Sequence, residues 1–259
     1  MLTLTTLASG SSGNCTLVSD GDTHILVDAG ISCRRITTAL KGLGVDPAQL
    51  SAVLITHEHT DHIAGLATLT KQRRVPVYAS RGTALQLCYR IPFLEELIRP
   101  FAPGACFQVG GVEVESFPTP HDAAESAGYA LSAGGRKAAV VTDLGHVTEA
   151  VRQGIRGANL LLAEANHDVE WLQSGPYPYF LKERILGQRG HLSNEAGAAL
   201  ACAAVEDGAE TVVLAHLSHE NNTPERARQV VGDALRRMGA GRVALEVAPR
   251  SETGRRYVV

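Results

Sequence analysis

The sequence lacks the usual features of a secreted or membrane protein. It has only five cysteines in 259 residues, an odd number with no C-x-x-C pair, which argues against a disulfide framework and a thiolate zinc site. The first residues contain no basic segment followed by an apolar one, and no stretch approaches about 18 unbroken apolar residues. We therefore expect neither a signal peptide nor a membrane span, and we predict a soluble, cytoplasmic protein.

An excess of positive charge is also missing. Lys and Arg number 24 against 27 Asp and Glu, so the net charge of −3 excludes a protein that binds nucleic acid with its whole surface. Hydrophobic residues at 44% and charged residues at 20% exclude an intrinsically disordered chain. No repeat, low-complexity tract or Pro/Ser-rich linker divides the sequence. We predict that residues 1–259 form one α/β domain.

Short apolar runs recur along the chain, and a turn or a helical pattern follows each of them. Runs such as residues 52–56, 137–142 and 211–216 are typical of strands that are buried on both faces. Helices are predicted near residues 32–43, 81–90, 147–154, 178–187, 193–206 and 224–238. Strands dominate the first half of the chain and βα alternation the second, which favours a layered α/β sandwich over a barrel or a helical bundle.

The strongest functional signal is the segment T-H-E-H-T-D-H at residues 56–62, where the predicted strand 52–56 ends. Alternation along an extended segment places His57 and His59 on the same side, with Asp61 and His62 at the bend into a helix. Borderline divalent metals prefer imidazole and carboxylate ligands, and four such groups within six residues are costly to bury without a metal. The segment therefore predicts a metal site rather than a solvated polar loop.

This segment resembles the H-x-H-x-D-H signature of the metallo-β-lactamase-fold hydrolases. Other segments that resemble elements of this family follow in order: LVDAG at 26–30, PTPHDA at 118–123, VVTDLG at 140–145 and LAHLSHENN at 214–222. The resemblance implies a four-layer αββα sandwich and a hydrolase with two metal ions. The segments SGSSGN (9–14), EANHD (164–168) and GHLSN (190–194) further resemble the YycJ/WalJ branch, whose members act as 5′-to-3′ exonucleases on DNA.

The resemblance also implies the metal ligands, residue by residue. The matching residues are His57, His59 and His121 for the first ion, Asp61, His62 and His216 for the second, and Asp143 as the bridge. Asp122 competes with His121 for one of these positions, and we prefer His121. This set of ligands implies two divalent ions, Zn²⁺ or Mn²⁺, and ligand type alone does not choose between them.

Two catalytic groups are implied in the same way. Asp61 would orient or deprotonate the attacking water. His191 would stabilise the developing charge or protonate the leaving oxygen, unless it is only the residue that leads into the next helix. Glu164 and His167 would support His191 from behind, unless they form no more than the polar end of a strand.

Further residues are expected to bind the substrate or to support the site. Ser11, Ser12 and Asn14 would offer polar groups to a phosphate at the rim of the site. Asp28 would be a structural carboxylate or would support a metal ligand. A local patch for DNA is expected from the cations that cluster near the motifs: Lys71, Arg73, Arg74, Arg81, Arg90, Lys182, Arg184 and Arg189.

Together these observations predict a phosphodiesterase with two metal ions, in the first place a 5′-to-3′ DNA exonuclease that acts in DNA repair. A small-molecule (cyclic) phosphodiesterase and a tRNA-processing nuclease are the alternatives on the same site. A metal-stabilised binding module is disfavoured because every expected ligand is present. DNA is the expected partner, whereas the sequence predicts no membrane association and identifies neither a protein partner nor an oligomeric state.

Overall fold

The structure is a computed structural model that describes residues 1–259. Its strands form two sheets of seven strands each. The first sheet contains β1 (Thr3–Ala8), β2 (Cys15–Asp20), β3 (Thr23–Val27), β4 (Leu50–Leu54), β5 (Val77–Ser80), β6 (Ile98–Phe101) and β14 (Tyr257–Val258), in the order β14-β1-β2-β3-β4-β5-β6. The second contains β7 (Cys106–Val109), β8 (Val112–Pro118), β9 (Ala127–Ala133), β10 (Arg136–Val141), β11 (Leu160–Glu164), β12 (Thr211–Ala215) and β13 (Ala244–Val247), in the order β13-β12-β11-β10-β9-β8-β7.

Nine α-helices accompany the sheets. They are α1 (Cys33–Gly42), α2 (Thr60–Ile63), α3 (Leu66–Arg73), α4 (Arg81–Arg90), α5 (Glu149–Ile155), α6 (Val169–Ser174), α7 (Tyr179–Leu186), α8 (Asn194–Glu206) and α9 (Pro224–Arg237). Short 3₁₀ turns occur at Pro47–Gln49 and Pro92–Glu96. None of the helices combines the length and the apolar character that crossing a membrane requires.

Alternation along the strands separates the apolar side chains into layers. In β11, Leu160 and Leu162 lie in the core between the two sheets, whereas Leu161 lies in the core that also contains side chains of α5 and α8. In β4, Leu54 lies between the sheets and Val53 packs with side chains of α1, α3 and α4. Helices therefore cover the outer face of each sheet, and the predicted αββα sandwich is confirmed.

Side-chain caps begin the helices where the sequence placed them. Ser32 accepts a hydrogen bond from the N–H of Arg35 at the start of α1, and Ser193 accepts one from the N–H of Ala196 at the start of α8. The sequence analysis placed a helix start at Asp61 and His62, which lie in α2, without giving the bounds of the helix. It did not predict α6 or the strands β6, β7 and β14. These three strands lie at the edges of their sheets, where exposed residues interrupt the apolar run that marks a buried strand.

Candidate active site

The site lies where strands of both sheets end. Strands β3 and β4 run parallel, as do β10, β11 and β12, so within each sheet the carboxyl ends of these strands share one edge. Asp28, Asp143 and His216 follow β3, β10 and β12, and all three have left-handed backbone conformations with φ of 63°, 60° and 55°. Non-glycine residues rarely adopt this conformation, and such strain is concentrated at functional sites.

The first group of potential ligand atoms comes from His57, His59 and His121. One nitrogen of each lies within 4.8 Å of the other two. The ring centroids of His57 and His59 are 4.5 Å apart, so the extended segment does place both imidazoles on one side. Asp122 stands beside this group: its Oδ1 is 3.4 Å from His121 Nε2, but its Oδ2 accepts a hydrogen bond from Arg184 Nε at 2.5 Å.

The second group consists of Asp61, His62 and His216. Asp61 Oδ2 lies 3.5 Å from Nε2 of each of the two histidines. Asp143 lies between the two groups, with its Oδ2 3.3 Å from His62 Nε2 and its Oδ1 3.8 Å from His121 Nε2. The structure thus brings all the predicted ligands together, and their role as ligands stays a prediction.

The donor atoms of this cluster fit a divalent cation. Among the predicted ligands, three ring nitrogens are buried without a hydrogen-bond partner: the Nε2 atoms of His57, His121 and His216. Their Nδ1 atoms are engaged instead, by Thr56 Oγ1 at 3.0 Å, Gly190 O at 3.1 Å and Glu164 Oε1 at 2.7 Å. A buried nitrogen without a partner is costly, and a metal ion that accepts its lone pair removes that cost. An imidazole that donates through one nitrogen and binds metal through the other is the usual arrangement.

His62 is held in the same way from behind. Asp28 Oδ2 lies 2.7 Å from His62 Nδ1, and the N–H of Thr56 donates to Asp28 Oδ1 at 2.9 Å. Asp28 therefore contacts a predicted metal ligand, as one of its two expected roles requires. The amide of Asn14 lies 3.1 Å from His62 Nε2.

The two groups differ in their electrostatic surroundings. Burial and the neighbouring imidazoles lower the pKa of His57 well below its ordinary value. Burial also lowers the pKa of His216, but Asp143 and the hydrogen bonds with Asp61 and Glu164 outweigh it and raise that pKa to about 10. His57 is thus a neutral nitrogen donor, whereas the second group lies in a field that stabilises positive charge. Both conditions suit bound cations.

Glu164 connects the second group to His191. Its Oε1 accepts hydrogen bonds from Nδ1 of His191 at 2.9 Å and of His216 at 2.7 Å. Its Oε2 accepts from the backbone N–H of Leu192 at 2.9 Å and of Leu144 at 3.3 Å. Burial raises the pKa of Glu164, but the two imidazoles outweigh it and hold that pKa below its ordinary value. The carboxylate is fully buried, whereas the side chain of His191 is 21% exposed to the cavity.

His167 makes no hydrogen bond with His191. Both of its ring nitrogens are buried without a hydrogen-bond partner, and burial lowers the pKa of His167 to about 4. Its carbonyl accepts from the N–H of Asn194 at 2.8 Å, which joins it to the start of α8. Of the two residues expected behind His191, Glu164 makes the contact.

The Gly/Ser loop contributes differently at each predicted position. Ser11 is exposed and lines the cavity, whereas Ser12 is exposed outside the lining. Asn14 is buried, and its Oδ1 accepts from the N–H of Gly10 at 2.9 Å. The structure therefore places Asn14 beneath the loop and not at the rim, and substrate binding by these residues stays a prediction.

Close backbone packing fixes the position of Asp61. The N–H of Asn14 donates to Asp61 O at 2.8 Å, and the N–H of Gly30 donates to Asn14 O at 2.7 Å. A Cβ atom on Gly30 would lie 1.6 Å from Asp61 O, so only glycine fits.

Several cations near the site hold its loops together. These contacts join Arg90 to Glu58 O at 2.7 Å, Arg184 to Asp122 at 2.5 Å and Arg189 to His121 O at 2.8 Å. Arg74 pairs with Glu96 at 2.6 Å, whereas Lys71 and Arg73 are exposed. The predicted cations thus include structural residues, and the DNA-binding patch stays a prediction.

Sequence analysis missed Glu58, which lies between two predicted ligands. Its side chain is buried, and Oε1 accepts from the N–H of Ala124 at 2.9 Å, which ties the His57–His59 segment to the loop after His121. The sequence did contain a signal for this role: Glu58 stands between two predicted ligands, directly after a buried strand.

A cavity of about 240 Å³ opens onto the cluster and is lined by Asp61, Asp143, His191 and His216, among others. A larger groove of about 540 Å³ lies between α1 and residues 251–253, but no His, Asp or Glu lines it. The chemistry-bearing groups therefore meet in the smaller cavity.

Comparisons with known proteins agree with this geometry. A family model described as "Beta-lactamase superfamily domain" matches residues 23–217. Exodeoxyribonuclease YycJ of Bacillus anthracis is 41% identical over 238 residues, which cover 91% of this chain and 89% of that protein. Exodeoxyribonuclease WalJ of Streptococcus pneumoniae is 36% identical over 239 residues, covering 91% and 88%. The crystal structure of the metallo-β-lactamase fold protein YhfI from Bacillus subtilis superimposes with a TM-score of 0.73 at 18% identity, covering 99% and 98% of the chains.

The fold and the cluster of histidines and carboxylates define a metal-dependent hydrolase. The chain belongs to the β-lactamase superfamily, in the branch that contains YycJ and WalJ.

Proposed function

We propose that this protein is a 5′-to-3′ DNA exonuclease that uses two divalent ions, Zn²⁺ or Mn²⁺. The observation that carries the proposal is the convergence of buried, unpartnered imidazole nitrogens with the carboxylates of Asp61 and Asp143 at an open cavity. The names of the relatives, both exodeoxyribonucleases similar over most of the chain, support DNA as the substrate.

Each of the two groups of side chains would hold one ion. His57, His59 and His121 would hold one ion, Asp61, His62 and His216 would hold the other, and Asp143 would bridge them. When bound, two such ions activate water and neutralise the charge that develops on a phosphodiester.

The chain's own residues supply positioning and proton transfer. Asp61, whose side chain is 26% exposed in the cavity, would orient the attacking water or accept its proton. His191 donates through Nδ1 to Glu164. Burial lowers the pKa of His191, but Glu164 outweighs it and raises that pKa, so a protonated His191 would give the proton on Nε2 to the departing oxygen. Helix α8 begins only three residues after His191, and the partial positive charge of its N-terminus favours a nearby phosphate.

The experiment is degradation of end-labelled DNA by protein reconstituted with Zn²⁺ or Mn²⁺. Duplexes that carry a 5′-phosphate or a 5′-hydroxyl, RNA of the same sequence and bis(p-nitrophenyl) phosphate would be compared in parallel. We expect stepwise shortening from the 5′ end of DNA, and none with the His57→Ala/His59→Ala variant, which controls for contaminating nucleases.

Other outcomes would identify a different member of the superfamily. Cleavage of the chromogenic diester without shortening of DNA would favour a small-molecule phosphodiesterase, and preferential processing of RNA would favour a tRNA-processing nuclease. A role in DNA repair and a cytoplasmic location remain predictions from the sequence.

A further inference from the structure

The catalytic cavity has one apolar wall. Its apolar lining comes entirely from one short segment, through Tyr177, Leu181 and Ile185. Leu181 and Ile185 are four positions apart on one face of α7, and Tyr177 lies in the turn before that helix. The rest of the lining is His, Asp, Asn, Ser, Arg and Gly. We call these three residues the apolar wall, and the metal-binding groups and His191 the polar floor.

Local contacts position the apolar wall. Tyr177 lies between Pro176 and Pro178, which restricts its backbone to extended conformations. Lys182 Nζ donates to the carbonyls of Gln173 and Gly175, each at 2.7 Å, and so joins α7 to the end of α6.

The apolar wall is also joined directly to the polar floor. The N–H of His191 donates to Ile185 O at 3.0 Å. A Cβ atom on Gly190 would lie 2.1 Å from the same carbonyl, so the chain can pass this close to α7 only because residue 190 is glycine. A group packed on the wall is therefore positioned relative to His191.

We infer that the apolar wall is a nucleobase subsite: the base at the end of the strand stacks on Tyr177 while its phosphate lies over the polar floor. This inference rests on the proposed function. A nucleotide combines an aromatic ring with a charged phosphate, and wall and floor offer the complementary surfaces side by side. Stacking on an aromatic side chain accepts every base, as an exonuclease without sequence preference requires.

The size of the cavity agrees with a strand end as the occupant. Sites that enclose a whole small ligand typically measure about 300–1,000 Å³. The cavity here measures about 240 Å³, below that range, so it would enclose the end of a strand and leave the rest outside.

Binding of two probes to the metal-loaded protein tests the subsite. Thymidine 5′-monophosphate uses wall and floor, whereas inorganic phosphate uses the floor alone. Tyr177→Ala should weaken binding of the nucleotide by about 5- to 150-fold, the range for loss of one stacked base, and leave phosphate binding unchanged. Tyr177→Phe should bind both probes as the wild type does. Tyr179→Ala is the matched control, because Tyr179 is 77% exposed and does not line the cavity.

Kinetics on DNA provide the second readout. Tyr177→Ala should raise KM on a normal 5′ end with little change in kcat, because stacking binds ground state and transition state alike. On an oligonucleotide with an abasic 5′-terminal residue, variant and wild type should have the same KM.

Three results would overturn the subsite. Tyr177→Ala could weaken nucleotide and phosphate binding equally, or it could leave both unchanged. Tyr179→Ala could weaken nucleotide binding as much as Tyr177→Ala does. Failure of the wild type to shorten DNA would contradict the proposed function instead, and the binding measurements would still decide whether the wall holds a nucleobase.

Discussion

Replacement of Glu164 by Gln tests how the structure supports both the metal cluster and the proton donor. The substitution keeps the shape of the side chain but removes its charge and one of its two acceptor oxygens. In the wild type, one oxygen of Glu164 accepts from His191 and His216, and the other accepts from the backbone N–H groups of Leu192 and Leu144. A glutamine oxygen can serve only one of these pairs, so its NH₂ group must face the other two donors.

The magnitude follows from this count of donors. A buried donor left without an acceptor costs about 1–3 kcal/mol, so two of them cost about 2–6 kcal/mol. If the NH₂ group faces the imidazoles, the loss falls on the metal site, where removal of such a supporting contact lowers metal affinity by about 10- to 100-fold. If it faces the backbone, the loss falls on the free energy of unfolding. Glu164→Gln must therefore reduce metal affinity, stability or both.

Three measurements on the same preparation separate these effects: urea unfolding, titration with Zn²⁺ or Mn²⁺, and kcat on DNA. Glu206→Gln is the control, because Glu206, at the end of α8, is exposed and makes no such contacts. Wild-type stability together with wild-type metal affinity in Glu164→Gln would refute the reasoning.

Three further predictions concern other parts of the structure. His191→Ala should lower kcat on DNA by about 10²- to 10⁴-fold with both metals retained, and by much less on a nitrophenyl ester, whose leaving group needs no proton. Gly30→Ala should destabilise the protein by about 3 kcal/mol or more through its backbone clash, whereas Gly42→Ala, which meets no atom within 4 Å, should stabilise it by up to about 1 kcal/mol. Burial opposes ionisation of Asp168, but hydrogen bonds from a backbone N–H and from Arg226 hold its pKa below its ordinary value. Asp168→Asn should thus lower stability by about 1–2 kcal/mol at pH 7, and the difference should begin to shrink as the pH falls below about 4 and vanish only below the lowered pKa of the folded state.

Each of these predictions has a contradicting result. Loss of metal in His191→Ala would make His191 a ligand, and full activity on DNA would make it structural. Chemical unfolding of Gly30→Ala at the wild-type midpoint would contradict the close approach to Asp61. A stability difference for Asp168→Asn that persists unchanged at pH 3 would show that the carboxylate contributes nothing through its charge.

The sequence predicted those features that local patterns encode. The buried strands are continuous apolar runs, and the helix beginning at Ser193 carries its own cap. The predicted ligands follow strand ends, and parallel strands bring their ends together whatever the intervening sequence contains. His57, His59 and Asp61 lie in one short segment, so their cluster could be predicted from the sequence alone.

Features that depend on contacts between distant segments could not be predicted in this way. Glu164 contacts His216, 52 residues away, and no local pattern shows that it would serve His216 as well as His191. Asn14 belongs to a Gly/Ser turn of the kind usually found at the surface, yet packing against Gly30 and Asp61 buries it. The position of Tyr177 at the cavity depends on how α7 packs against the rest of the site, and no local pattern encodes that packing.

The metal content of reconstituted protein tests the central claim most directly. After removal of chelator and reconstitution with Zn²⁺ or Mn²⁺, elemental analysis of the wild type should give close to two ions per chain. Asp143 lies within 4 Å of ligand nitrogens from both groups, so a well-folded Asp143→Ala variant should hold one ion or fewer. A well-folded Asp143→Ala variant that still holds two ions per chain would contradict the bridged metal site.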